Sequence, residues 1–177
     1  YSFKKYLDDK KKNNGNALKE IMIAVAEEGF QDQLKDAVSR AMVIVEGVEI
    51  ARDLCNTPAG DLSPDQLAKA ATDISSKLKL KATILKKKEI QQHKMNGLLA
   101  VNKGSSNEAR FIVVEYNTSK RKLPLYVLVG KGVTFDSGGL SIKPAKAMEE
   151  MKSDMAGAAA VLGTLYTVAK LKLPVRL

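Results

Sequence analysis

Residues 123–157 read LPLYVLVGKGVTFDSGGLSIKPAKAMEEMKSDMAG. The first seven, Leu123–Val129, are nearly all apolar. Such a run has no polar face to offer water, so it reads as a strand covered on both sides. A glycine-rich loop follows. From Ala147 to about Leu171 the chain is rich in alanine, methionine and leucine, which reads as a helix. Strand, loop and helix in that order are the unit of a layered α/β domain. The expected fold class is α/β: a three-layer α/β/α sandwich with a mixed, largely parallel central sheet, cut short at its end. Ligands in such sheets collect beyond the carboxyl ends of the strands. That rule singles out the loop after Val129.

The rest of the chain fits around this unit. Pro174 to Leu177 reads as the start of a further strand. Upstream, Arg110–Tyr116 and Leu80–Leu85 alternate as strands do. Glu89–Lys94 has room for one or two helical turns, and Gly97–Val101 is ambiguous. Ser63 before Pro64 and Asp65 is a helix start, a capping hydroxyl followed by proline at the first position. That helix runs to about Leu78. Another spans about Gln31 to Leu54, with Leu34, Val38, Met42, Val45 and Val48 giving a wide apolar face. Asn56-Thr57-Pro58-Ala59-Gly60 ends it, because Pro58 cannot continue the ladder. Leu18–Val25 is expected as a short strand. Residues 1–16, polar and ending in Asn13-Asn14-Gly15-Asn16, read as a linker or the end of a preceding domain. The main α/β domain is then expected over 17–177.

Composition excludes several classes. The 177 residues are 45% apolar and 28% charged, the balance of a soluble globular chain. No stretch approaches a membrane span of roughly 20 apolar residues. With one cysteine, Cys55, and one histidine, His93, neither an internal disulfide nor a Cys/His zinc site can form. A reducing, cytoplasmic compartment follows as the expectation. Cys55 reads as a small buried hydrophobe and His93 as exposed. The net charge of +9 raises the prospect of nucleic acid. The cations are mostly lysines without interleaved aromatics, which argues against a base-reading or stacking surface.

The chemistry sits in the loop and the segment after it. Asp136 and Asp154 are carboxylates that can face one cleft, and Lys131 and Lys143 lie between and beside them. The phosphate-cradling G-x-x-x-x-G-K-[ST] pattern is absent. Carboxylates without histidine or thiol suit Mn²⁺, Mg²⁺ or Zn²⁺. An amine beside two cations is driven toward its neutral, ligating form. A second lysine that stays cationic can hold an oxyanion. Together these groups make a case for metal-assisted hydrolysis. Met148 and Met155 read as packing residues, while Met151 is open between core and pocket. The run GAAAVLG, Gly157–Gly163, reads as a small-residue helix face that lies close to the sheet.

VGKGVTFDSGGLSIKP (Val129–Pro144) followed by MKSDMAGAAAV (Met151–Val161) resembles the signature of the leucyl aminopeptidase family, cytosolic two-metal exopeptidases. The resemblance begins at ARDLCNTPAG (Ala51–Gly60). It implies a metal-dependent aminopeptidase that releases leucine-like N-terminal residues from peptides, using two divalent ions (Mn²⁺ or Zn²⁺) to activate water. By resemblance, Lys131 and Asp154 ligate one metal and Asp136 bridges both. Lys143 is the catalytic lysine that polarises the scissile carbonyl and contacts substrate, and Met151 lines the pocket for the first side chain. The partners implied are peptides with a free N-terminus and, in full-length relatives, five further copies in a homohexamer.

The family carries a second ligand motif, N-T-D-A-E-G-R, that these 177 residues do not contain. The expectation is that this chain alone binds metal weakly and is inactive. The alternative is a non-catalytic, truncated paralogue that serves as an oligomer subunit or binding module.

Overall fold

The computed structural model describes residues 1–8, 18, 20–25 and 29–177. The elements are α1 (Gln31–Asn56), α2 (Pro64–Leu78), β1 (Lys81–Leu85), α3 (Lys87–Gln92), α4 (Asn96–Asn102), β2 (Phe111–Glu115), α5 (Ala145–Met148), a 3-10 turn (Glu149–Ser153) and α6 (Ala156–Lys170). The chain divides into two compact units, 1–42 and 43–177. No helix among the described residues is long and apolar enough to cross a membrane.

In the first unit the Phe3 and Tyr6 rings meet edge to face, with centroids 5.8 Å apart. The Lys5 ammonium lies 5.4 Å from the centre of the Tyr6 ring. The strand expected at Leu18–Val25 is not formed by its described residues. Ile21, Met22, Ile23 and Val25 are exposed. A strand needs a neighbour to take its backbone donors and acceptors, and no described segment pairs with this one. Residues 9–16 of the expected linker lie outside the described residues.

The second unit is built around α2. Ser63 Oγ accepts the Gln66 N–H at 3.4 Å and Pro64 opens the helix, as its sequence implies. Leu67, Ala71 and Ile74 recur at helical spacing on one face and are buried. They form a core with Leu62, Met155, Ala159 and Leu162, against which Ile50, Leu54, Cys55 and Tyr166 pack. Burying each such leucine or isoleucine contributes about 1.5–3 kcal/mol. Burial also pushes the Cys55 thiol up, which disfavours its thiolate form. His93 is exposed.

The sheet is smaller than expected. β1 and β2 form an antiparallel pair in which Ala82 faces Val114 and Ile84 faces Ile112. These four are the inward, half-buried positions, and Ile112 and Val114 lean on the core. At the ladder's end Lys81 Nζ reaches Glu115 at 2.6 Å. The run Leu123–Val129 forms no ladder. It touches the segment Pro174–Leu177 through one parallel bridge, Leu125 to Arg176. Val127 is 76% exposed and Val129 91%, so the two-sided cover expected of this run is absent among the described residues. Its backbone is tied at its start, where the Leu123 N–H donates to Lys120 O and Leu123 O accepts from Arg176 Nε, and at the bridge, where the Tyr126 N–H donates to Arg176 O and the Arg176 N–H to Pro124 O.

The wide apolar face expected on α1 packs over its C-terminal part alone, through Ile50, Ala51, Leu54 and Cys55 and, a turn earlier, through buried Gly47, whose backbone meets Gly163 of α6. Ile44, Val45 and Val48 are exposed. The helix ends where the sequence predicts. Thr57, buried, donates its hydroxyl to Asp53 O at 2.7 Å, and Pro58 O accepts the N–H groups of Asp61 and Leu62.

Two polar ties hold elements together. Arg110 donates two parallel bonds to Asp65, at 2.6 and 3.1 Å, and a third to Glu108. Burial works against its cation, but the two acids outweigh it and hold the guanidinium above its ordinary range. The Tyr166 hydroxyl donates to Glu46 Oε2 at 2.6 Å. That bond, aided by burial, raises the phenol above its ordinary value of 10.0. A group whose folded-state pKa is raised contributes its stability below the unfolded value and loses it as pH rises through the folded one. Replacing Tyr166 by Phe is therefore expected to cost about 1 kcal/mol at neutral pH. The gap between wild type and variant should close above the ordinary tyrosine range. Urea unfolding of both proteins across that range checks it, and a gap that stays constant removes the Glu46 bond as the cause.

Candidate active site

The helix expected from Ala147 to Leu171 is broken into α5, a 3-10 turn and α6, with Asp154 and Met155 in the break. The cause is tertiary. The Ala158 N–H, in the first turn of α6, donates to Lys131 O at 2.9 Å. A helix leaves its first N–H groups without internal partners, and here the chain just beyond Val129 supplies one. The approach is close enough to exclude side chains. A Cβ on Gly130 would lie 2.6 Å from Ala158 Cα, and one on Gly157 would lie 2.9 Å from Lys131 N. The small-residue face read at Gly157–Gly163 is thus used at both ends, Gly157 against the Gly130–Lys131 backbone and Gly163 against Gly47 of α1.

This contact places Lys131 beside Asp154, 23 residues later in the chain. Lys131 Nζ lies 2.6 Å from Asp154 Oδ1. The Asp154 side chain is 16% exposed and the Lys131 side chain 58%. The other carboxylate oxygen, Asp154 Oδ2, is buried and without a hydrogen-bond partner. An ionised oxygen in that state is costly unless something cationic meets it.

Asp136 and Lys143 form a second pair, Nζ to Oδ2 at 3.3 Å. The turn between them is fixed by backbone. The Gly138 N–H donates to Asp136 Oδ1 at 2.9 Å, and the Lys143 N–H to Ser137 O at 2.9 Å. Gly138 has a φ of +90°, a conformation side chains resist. The Gly138 N–H is the chief cause of an Asp136 carboxyl held below the usual aspartate range. Lys143 adds a hydrogen bond and its charge, and the charge of Lys131 adds further, against an opposing penalty from burial. Asp136 therefore sits within the field of both lysines, while its ion pair is with Lys143.

Met151 is half-buried and outside the core. Its carbonyl accepts the Asp154 N–H at 3.3 Å, closing the 3-10 turn. Met155 is fully buried, as expected of a packing residue. Among the described residues no three His, Cys, Asp or Glu side chains converge as a metal cage. The donors gathered here are two carboxylates and an amine. Sequence reasoning missed the carbonyl of Lys131 as the group that meets the start of α6, since nothing local marks a backbone acceptor.

Comparison with known proteins bears on this geometry. The catalytic domain of the cytosol aminopeptidase family matches residues 49–177. A probable cytosol aminopeptidase of Roseiflexus castenholzii is 41% identical over 174 residues, 98% of this chain and 36% of that protein. One from Geotalea uraniireducens is 44% identical over 174 residues, 98% of this chain and 35% of that protein. Among solved structures, the bottromycin maturation enzyme BotP in complex with Mn superposes with a TM-score of 0.82 at 34% identity, covering 99% of this chain and 35% of BotP. The chain thus spans about a third of the length of these relatives. It belongs to the cytosol aminopeptidase family.

Proposed function

We propose that this chain carries the first part of a two-metal aminopeptidase site, within a three-layer α/β/α domain whose largely parallel sheet includes Leu123–Val129. Residues 17–177 are the N-terminal part of the catalytic domain in this reading. The observation that carries it is the Lys131–Asp154 contact, with Asp154 Oδ2 buried and unpartnered beside it. An orphaned carboxylate oxygen next to an amine fits a divalent ion, either Mn²⁺ or Zn²⁺.

Lys131, through its amine, and Asp154 would hold one ion, and Asp136 would bridge to a second. Bound divalent ions lower the pKa of water and so provide the nucleophile. The chain's own residues do the rest. Lys143, cationic, faces the carbonyl of the first peptide bond and stabilises the charge that develops on its oxygen. The turn at Gly138 fixes Asp136 and Lys143 relative to each other, so the bridging acid and the oxyanion partner are placed together. Met151 borders the space for an apolar first side chain. The substrates are peptides with a free N-terminus. The whole protein works in the cytoplasm as a homohexamer, and these 177 residues alone, without the second ligand motif, are inactive and hold metal weakly.

The test is a Mn²⁺ titration of the purified chain followed by electron paramagnetic resonance. The signal of free aqueous Mn²⁺ should be depleted saturably. If it tracks added metal as it does in buffer alone, the metal reading of Asp154 and Lys131 is wrong.

A further inference from the structure

A second feature lies away from these carboxylates and rests on none of that reading. The turn after β2 and the turn after α6 face each other across a cavity of about 630 Å³. Its rim carries Lys120, Arg121 and Lys122 from the first turn and Lys172 from the second, and its lining includes Tyr116 and Leu173. All four cations are exposed. None of them forms an ion pair among the described residues. No acid lines the cavity, and neither 116–135 nor 155–177 contains a single Asp or Glu.

Solvated lysines are ordinarily distributed among acids, which cancel their fields. Here four cations share one open concavity with no acidic side chain in its lining, so their fields add rather than cancel. The walls are fixed rather than floppy. The Tyr116 hydroxyl donates to Leu173 O at 3.0 Å, and the Asn117 amide to Val175 O at 3.2 Å, so each turn is tied to the other. Both turns also pass through left-handed residues that are not glycine, Asn117 at φ 54° and Lys172 at φ 53°. Such conformations persist only where surrounding structure imposes them.

We propose that this cavity is a binding site for a small multi-anion, a ligand with two or more phosphate-like charges. The lining Tyr116 and Leu173 offer an apolar floor, and the four cations offer point charges and one planar fork for phosphate oxygens. Two sources share that chemistry, a condensed inorganic phosphate and the phosphate chain of a nucleotide.

The experiment is calorimetric titration of the 177-residue chain with tripolyphosphate, with ATP and with orthophosphate. Buffers are freed of metal on a chelating resin, since soluble chelators are themselves multi-anions. Saturable binding of tripolyphosphate, much weaker binding of orthophosphate and a loss of affinity at higher salt are expected. Equal affinity for ATP assigns recognition to the phosphates alone, and tighter ATP binding assigns part of it to the nucleoside. The triple variant Lys120→Gln, Lys122→Gln, Lys172→Gln should lose at least about tenfold in affinity, which is about 1.4 kcal/mol. A control triple, Lys86→Gln, Lys87→Gln, Lys88→Gln, removes the same charge elsewhere and should lose little. Circular dichroism establishes that both variants fold. Absence of saturable tripolyphosphate binding, or equal losses in the two triples, overturns the proposal.

Discussion

Asp154→Asn should weaken Mn²⁺ binding to this chain by at least about a hundredfold, while leaving its fold intact. The size follows from what is removed. Partners that only orient a ligand cost 10–100-fold when mutated, and Asp154 is proposed as a ligand itself. A hundredfold loss is about 2.8 kcal/mol. The substitution keeps shape and size but removes the charge that a cation would meet at the buried Oδ2. The fold should survive because the backbone role of Asp154 is untouched: its N–H closes the turn on Met151 O whichever side chain it carries. The comparison proteins are Glu149→Gln and Glu150→Gln. Both are exposed acids of the same turn, and each removes one negative charge near the site without touching the pair. Paramagnetic resonance titrations of all four proteins give the answer. Equal Mn²⁺ affinity in Asp154→Asn and wild type would falsify the assignment.

Gly130→Ala should destabilise the chain by about 3 kcal/mol, the upper end for over-packing. One methyl group has this effect because of what it meets. The nearest atoms are backbone of Gly157 and Ala158 rather than the ends of flexible side chains. They cannot step aside without moving the start of α6. At roughly 2–4 °C per kcal/mol for a domain of this size, the melting temperature should fall by about 10 °C. The neighbouring Gly132→Ala is the contrast. Its Cβ would meet Ala158 Cβ at 3.5 Å and Leu67 Cδ2 at 3.7 Å, ordinary contact distances. That variant should melt within about a degree of wild type, since it adds contact without overlap. Thermal unfolding followed by circular dichroism separates the two. Comparable melting temperatures for both variants would show that the Gly130–Lys131 segment and α6 are free to separate. In that case the closeness of Lys131 to Asp154 needs another explanation.

Local signals were legible where they concern a few consecutive residues. The Ser63–Pro64 start of α2, the end of α1 at Thr57–Pro58 and the burial of Met155 each follow from neighbours in sequence. Periodicity misled where partners decide the outcome. Leu18–Val25 and Leu123–Val129 have the composition of strands, but a ladder is a property of two segments, and among the described residues only β1 and β2 find each other along their length. The continuous helix read at Ala147–Leu171 ignored the acceptor that meets the start of α6, Lys131 O, because a carbonyl from a distant loop leaves no mark on local spacing. The candidate site was read from a different kind of signal. Asp136, Lys131, Lys143 and Asp154 were recognisable as a long motif. That Lys131 meets Asp154 through the Gly130–Gly157 approach required coordinates.

The exposed run from Val127 to Val129 bears on how this chain should behave in solution. An apolar segment with free backbone donors invites strand addition from a second molecule. The formal +9 on each copy opposes that encounter at low ionic strength. Added salt shortens the reach of the repulsion to a few ångströms while leaving the apolar attraction in place. Turbidity should therefore rise with sodium chloride, and dilute, low-salt solutions are where the monomer persists.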